Sequence, residues 1–332
     1  MTEPLTERTV GTGGFRVLTM NVLASGYADW EARRQVISDG IRSLSPDVVA
    51  LQEVVRDDER DEVTELLGTG WNVVGHPSSA ADGTGAALAG RWPMTDAQSR
   101  DLQVTQRTAT TPWCGVVAVE VSAPQPLGPV LLVHHKPSWP YGYEYERERQ
   151  AVAAARLVEE ITADRNLHVV LLGDFDAAPD SESVRFWTGR QSLGGMSVCY
   201  QDAWDSVSSD ECGHTFSPRN PLVRQGDMPL ENGRRIDYIM VRCGDHGPSL
   251  RVAACRRVFT GPVGGIQASD HYGVVADLAL PPHTPGRWAE AQGITAAEHN
   301  GGGRAGRPVR DEEVIGSGTV TPSRHRLGRP AC

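Results

Sequence analysis

Six short polar motifs lie along the chain, most of them at the ends of apolar, strand-like runs, and this placement constrains the fold more than any other feature of the chain. They are Asn21, Gln52-Glu53, His134-His135-Lys136, Gly173-Asp174-Phe175-Asp176, Arg235-Ile236-Asp237-Tyr238 and Ser269-Asp270-His271. A sheet gathers the ends of its strands on a rigid frame, so side chains from remote parts of a chain meet there. Carboxylates, a carboxamide and histidines gathered in that way suit metal-assisted attack of water on phosphorus.

The runs between the motifs switch between two periods. Phe15 to Val22 alternates loosely and reads as a strand. Residues 29–44 read as a helix, N-capped by Asp29 and stopped by Pro46, with Val36, Ile37, Ile41 and Leu44 on one face. Residues 47–55 form a buried strand, followed by a helix over 61–67 and a strand over 71–75. Gly83 to Gly85 is a turn before the short run Ala86 to Ala89. Val116 to Val121 and Val130 to His135 are β-rich runs, with Pro124, Pro126 and Gly128 between them. The clearest helix is 145–163, where Ala151, Ala154, Ala155, Val158 and Ile161 make an apolar stripe. His168 to Leu172 is an apolar strand, and short helices cover 183–188 and 202–206. Residues 213–231 form a long loop, of a length that often carries function. Strands over 235–241, 250–258 and 274–280 complete the set. Many strands with few helices predict two stacked sheets with helices outside.

With 332 residues, 39% hydrophobic and 22% charged, the chain can bury a sizeable core within one large sandwich or barrel. No apolar run approaches the roughly 20 residues needed to span a bilayer. Residues 1–14 are a polar leader without the basic start and apolar middle of a signal peptide, so a cytoplasmic protein is expected. Residues 15–282 are expected to be the catalytic domain. Residues 283–332 shift to Gly, Arg, Pro and Thr and are expected to be a disordered tail. The net charge is −10; seven Arg and five Asp or Glu from Pro281 onward leave about −12 on the rest. Such a body lacks the basic field behind non-specific nucleic-acid binding, although a local basic groove would suffice for a nuclease. The six cysteines form no C-x-x-C pair and no zinc-ligand spacing, so most are expected to be buried thiols. Nothing indicates an obligate protein partner.

Each motif has a chemical and a plain reading. Glu53, on a rigid strand, is a good ligand for Mg²⁺, a hard cation that prefers oxygen; an isolated Glu there is simply solvated. Asn21 can orient a neighbouring carboxylate or make a turn. Asp174 follows four apolar residues and fits a general base or an Asx-type turn. A protonated His271 would stabilise charge on phosphoryl oxygens and needs an orienting carboxylate. Trp139, Tyr141, Tyr143 and Tyr145 either wall a base, sugar or lipid-like leaving group or pack over the sandwich.

In order and wording the motifs resemble the endonuclease/exonuclease/phosphatase superfamily, which includes DNase I-like nucleases, inositol-phosphate phosphatases and neutral sphingomyelinases. The resemblance covers about Phe15 to Leu280. It implies an α+β fold, a four-layer α/β/β/α sandwich of two stacked mixed sheets with helices outside and the site in the cleft between strand ends. It implies a phosphoesterase dependent on Mg²⁺ or Mn²⁺, acting on a phosphate ester, in first place a phosphodiester, by in-line attack of water. Glu53 would be the principal metal ligand, with Asn21 and Asp270 assisting. Asp174 would activate or orient the water, and His271, paired with Asp237, would bind phosphoryl oxygens. The family places a further phosphate-binding histidine at the end of the His134-His135 strand. Alternation alone does not choose between the two, because a bulge would exchange their faces; the following Lys136-Pro137-Ser138-Trp139 favours His135. Gly173 to Pro179 resembles the family's Gly-Asp-Phe-Asn-x-x-Pro, with Asp176 where the Asn supports the transition-state phosphate. A second carboxylate repels phosphate unless something neutralises it. A DNA or RNA nuclease is the alternative enzyme, with Arg219, Arg224, Arg234 and Arg235 as a modest basic set. A non-catalytic binding module on the same fold is the alternative of another class, against which the carboxylate cluster counts.

Overall fold

The computed structural model describes residues 13–208 and 210–283. The expected leader up to Thr12 and the expected tail from Thr284 onward lie outside the described residues. In chain order the strands are β1 Gly14–Asn21, β2 Val48–Val55, β3 Asn72–Gly75, β4 Thr84–Gly90, β5 Met94–Asp101, β6 Gly115–Ser122, β7 Pro129–Lys136, β8 His168–Asp174, β9 Tyr200–Asp202, β10 Asp237–Gly244, β11 Gly247–Pro248, β12 Arg251–Val258 and β13 Gly273–Ala279. The helices are α1 Trp30–Leu44, α2 Glu62–Leu67, α3 Glu144–Thr162, α4 Glu182–Trp187, α5 Ala203–Val207 and α6 Pro221–Gln225.

One sheet runs β12-β13-β1-β2-β4-β3, and the other runs β11-β10-β8-β7-β6-β5 with β9 also paired to β10. Both are mixed, because β1 lies parallel to β2 and β7 parallel to β8, while the other pairings are antiparallel. A parallel pair needs a crossover, and the sequence supplies a helix for each, α1 and α3. That wiring places the site. Asn21, Glu53, Lys136 and Asp174 sit at or near the carboxyl ends of four parallel-paired strands, where α/β sheets bind their ligands. The antiparallel strands β10 and β13 begin at the same edge, so Asp237 falls in register with Asp174 and His271 precedes β13.

Alternation along β1 explains the layers. Val17 faces the core between the sheets with Val119, Leu132, Val170 and Leu172. Leu18 and Met20 face the other way, under Ile37, Ile41 and Leu44 of α1. The outer face of the second sheet packs Leu131, Val169 and Leu171 against Ala151, Ala154 and Val158 of α3. The result is the expected four-layer α/β/β/α sandwich. Helix α1 is capped as the sequence predicts, with Asp29 Oδ1 accepting the Ala32 N–H at 3.1 Å. Among the described residues no helix is long and apolar enough to cross a membrane.

Three local expectations change. Strand β5 is mostly exposed and polar, so it lacks the apolar signal of the other strands. The loop over 213–231 contains α6, with Asn220 as its N-cap and Pro221 in the first turn. Cys114 and Cys255 are buried thiols, but Cys199 is exposed and Cys243 half-buried.

Candidate active site

A bulge ejects Glu53 from its ladder. The β2–β4 register shifts between Gln52 and Val54, and Glu53 adopts φ 63°, a left-handed conformation that is strained for a non-glycine residue. Its carboxylate accepts Asn21 Nδ2 at 2.9 Å and the Ala24 N–H at 3.1 Å. Asn21 Nδ2 also donates to Asp174 Oδ2 at 3.0 Å, while Asn21 Oδ1 accepts the Leu23 N–H at 3.0 Å. Asn21 therefore bridges two carboxylates and turns its ligating oxygen toward the backbone. Asp174 Oδ2 further accepts Lys136 Nζ at 2.9 Å, and Oδ1 accepts the Asp176 N–H at 3.1 Å. Burial pushes the Asp174 carboxyl up, but Lys136, His271 and the Asn21 amide outweigh it and hold the group at about 2. Three donors thus fix the carboxylate in one orientation.

The glycine of this motif is dictated by space. Gly173 has φ 149°, and a Cβ there would lie 2.1 Å from the His135 carbonyl oxygen. Asp176 adopts φ 51° and pairs its Oδ2 with Lys136 Nζ. Burial and repulsion from Asp174 push the Asp176 carboxyl up to about 6, with Lys136 opposing them.

Opposite these carboxylates, His271 Nδ1 lies 3.0 Å from Asp237 Oδ2. Burial disfavours the imidazolium, but Asp237 and Asp174 outweigh it and raise the group well above the usual histidine range. Asp237 Oδ1 is buried without a hydrogen-bond partner. The loop after Gly213 frames the pair. Thr215 Oγ1 accepts the N–H groups of Ile236 at 3.0 Å and Asp237 at 3.2 Å, and the Phe216 ring packs 4.9 Å from the His271 ring. Buried Asn220 donates to the Ser269 and Asp270 carbonyls at 2.8 and 2.9 Å, and Ser269 Oγ donates to the Asn21 carbonyl at 2.8 Å. Arg33 of α1, itself buried, donates to the carbonyls of Val22 at 2.6 Å and Tyr27 at 2.8 Å, fixing the loop after β1.

The Endonuclease/Exonuclease/phosphatase family profile matches residues 18–271. The chain belongs to this family. Among solved structures it resembles D. rerio TDP2 complexed with single strand DNA product, at TM-score 0.62 and 17% identity over 80% of this chain and 98% of that one. It also resembles the human Nocturnin catalytic domain with bound sulfate, at TM-score 0.61 and 19% identity over 81% and 95% of the two chains. An endonuclease/exonuclease/phosphatase from Bacteroides vulgatus gives TM-score 0.62 and 19% identity over 81% and 99%. At these identities the likeness is one of fold. No curated protein matches the chain.

Within the family frame, the structure gathers Asn21, Glu53, Asp174, Asp176, Asp237, Asp270 and His271 at one edge of the sandwich. It does not bring His135 there. The His135 ring is buried against Phe175 at 5.0 Å and Trp187 at 5.7 Å between centroids. His134 faces inward to Gln52, its Nε2 2.7 Å from Gln52 Nε2, and meets the His76 ring edge to face at 4.5 Å between centroids. At the end of β7 it is Lys136, not a histidine, that reaches the site, at Asp174. The sequence places Lys136 in a motif but assigns it no role, and it does not single out Thr215 or Asn220; the Asn220-Pro221 step, an N-cap before a proline, was the one local signal available. Arg147 and Gln150 pin the Ser138 to Tyr141 loop through backbone contacts.

The family site opens into a cleft of about 610 Å³, lined by Asn21, Glu53, Asp176, Asp270 and His271 at one end. Aromatic and apolar walls follow, from Tyr27, Trp113, Trp139, Phe216 and Met228. Of the four tyrosine and tryptophan residues after β7, only Trp139 lines this cleft; Tyr141 donates its hydroxyl to Glu231 instead. Asp174, Asp237 and His271 bring possible ligand atoms within 4.8 Å of one another. Glu53 and Asp270 add carboxylate oxygens, which suit a hard divalent cation. Glu53, Asp174, Asp176, Asp237 and Asp270 stand against Lys136 and His271, with the Arg33 guanidinium near Asp270 and Glu53, so among the described residues the cluster keeps a negative excess that a cation would offset.

Proposed function

We propose that the protein is a divalent-metal-dependent phosphoesterase that hydrolyses a phosphodiester by in-line attack of water. The observation that carries this reading is the opposition, at one end of the cleft, of a carboxylate cluster on Asn21 and an imidazolium held by Asp237. A divalent cation, Mg²⁺ or Mn²⁺, held by Glu53 and Asp270 would supply Lewis-acid polarisation of a phosphoryl oxygen. Asn21 fixes Glu53 and Asp174 relative to each other. Asp174 accepts a hydrogen bond from the attacking water and aims its lone pair at phosphorus. His271 keeps Nε2–H free to donate to a phosphoryl oxygen as negative charge grows there, and Asp237 holds the ring's tautomer and orientation. Asp176, paired to an ammonium, serves as a wall and orienter of the site.

The walls favour a small or apolar ester over a polynucleotide. Glu53, Asp82, Asp176, Asp227 and Asp270 line the cleft, and among the described residues Arg234 is its one lysine or arginine. Arg235 is spent on a buried ion pair with Asp202 and a second pair with half-buried Asp205, and Arg224 Nε on the Pro218 carbonyl. The test is a substrate panel of bis-p-nitrophenyl phosphate, sphingomyelin, inositol phosphates, plasmid DNA and RNA. Protein stripped with EDTA is assayed before and after addition of Mg²⁺ or Mn²⁺. Metal-restored hydrolysis of bis-p-nitrophenyl phosphate is expected; turnover of no ester with either metal, or full turnover without metal, would refute the reading.

A further inference from the structure

We propose that Lys136 is a positioning residue of this site, locking Asp174 and Asp176 into one arrangement and cancelling the charge that Asp176 adds beside an incoming phosphate. The inference rests on the phosphoesterase reading and goes beyond it in giving a role to a residue which the family motif does not mark.

The side chain is placed for this and for little else. Lys136 ends β7 and is 1% exposed, among the largest fully buried side chains of the protein. Its ammonium touches Asp174 Oδ2 at 2.9 Å and makes a closer contact with Asp176 Oδ2. Burying an ammonium is unfavourable unless carboxylates compensate it with good geometry. Here the two partners are the two acids of one motif, and one of them also holds Asn21. Asp176 lines the cleft whereas Lys136 stands behind it, so Lys136 acts through the carboxylates without touching substrate. The ion pair also resolves the oddity of the motif. Asp176 alone would stand as a second anion facing a phosphate. Lys136 and Asp176 together are neutral, as an Asn at position 176 facing an uncharged partner would be. The two residues therefore form a unit, and changing either alone unbalances the site.

A charge-coupling cycle tests this. Wild type, Lys136→Met, Asp176→Asn, the double variant and Lys136→Arg are assayed on bis-p-nitrophenyl phosphate with saturating Mn²⁺. Lys136→Met should lower kcat at least ~100-fold with a smaller change in KM, because it leaves two buried carboxylates facing each other. Adding Asp176→Asn should recover at least ~10-fold of that loss, the mark of residues in one network. Lys136→Arg, which keeps the charge, should retain more activity than Lys136→Met. A Lys136→Met enzyme within about threefold of wild type, or a double variant whose loss equals the product of the two single losses, would overturn the proposal. Should Lys136→Met fail to fold, the double variant is compared with Asp176→Asn alone. A difference of at most ~10-fold supports the unit, and a larger one overturns it. An inactive wild type would refute the phosphoesterase reading, and Mn²⁺ affinity measured by calorimetry then reads the pair independently. Lys136→Met should bind Mn²⁺ more tightly, Asp176→Asn more weakly, and the double variant within about threefold of wild type. Equal affinity in all of them would remove Lys136 from the role.

Discussion

At the residue scale the His271–Asp237 pair sets the pH behaviour. The His271 group is raised in the folded protein, first against burial by Asp237 and then by Asp174. A raised group contributes stability that is fully present below its unfolded value, about 6.5, and lost as pH rises through the folded value. Activity that needs the imidazolium should therefore hold on the alkaline side of about pH 6.5, where a free histidine would already be neutral. Asp237→Asn removes the leading stabilising charge, so its activity should fall at lower pH than wild type; a pH–kcat/KM profile checks this, and coincident alkaline limbs would count against it. His271→Ala should lower kcat by roughly 100-fold at pH 7, the scale of losing one charge-stabilising donor. Glu53, Asp174, Asp237, Asp270 and His271 were legible in the sequence because each ends or opens an apolar run. His135 was misplaced for a physical reason. Consecutive residues on a strand face opposite sides, and the sequence does not say which side meets the cleft. In the structure Lys136 shares the inward parity of His134, and it reaches the carboxylates that His135 turns away from.

At the element scale the site depends on close backbone approach. Gly173→Ala would drive a Cβ into the His135 carbonyl, between two central parallel strands that have no room to part. A loss of roughly 3 kcal/mol is expected in urea unfolding, the upper range for overpacking a core. An unchanged midpoint would mean that β7 and β8 can separate. Asn220→Ala, which removes a donor from the buried Ser269 carbonyl and the part-buried Asp270 carbonyl at the turn before β13, should lose about 1–3 kcal/mol. It should also lower kcat through Asp270 and His271 without changing the residues that do the chemistry. The elements visible in the sequence were those with strong periodicity: α1 with its Asp29 cap, α3 with its alanine stripe, and the buried strands β2 and β8. Strand β5 and helix α6 escaped because one is an exposed polar strand and the other a single turn defined by tertiary contacts.

On the scale of the whole molecule, charge decides which phosphate esters can approach. Polynucleotide affinity comes largely from phosphate neutralisation by Lys and Arg, with a salt dependence that grows with the number of contacts. The cleft holds Arg234 against several carboxylates, and Arg234 is itself tied to Glu231 at 3.0 Å and stacked 4.3 Å over Tyr141. A bound divalent cation would offset the acids at the catalytic end, leaving Asp82 and Asp227 on the walls. Plasmid DNA should therefore compete weakly with bis-p-nitrophenyl phosphate, even at about 50 mM salt, where backbone contacts are strongest. Inhibition should change little on raising salt to about 200 mM, since few counterions would be released. An apolar phosphodiester should compete better, because Tyr27, Trp113, Trp139, Phe216 and Met228 offer it surface to cover. Competition assays with both inhibitors at the two salt concentrations would separate the cases. Strong inhibition by DNA that collapses with salt would show a basic path outside the cleft and would return the nuclease reading to first place.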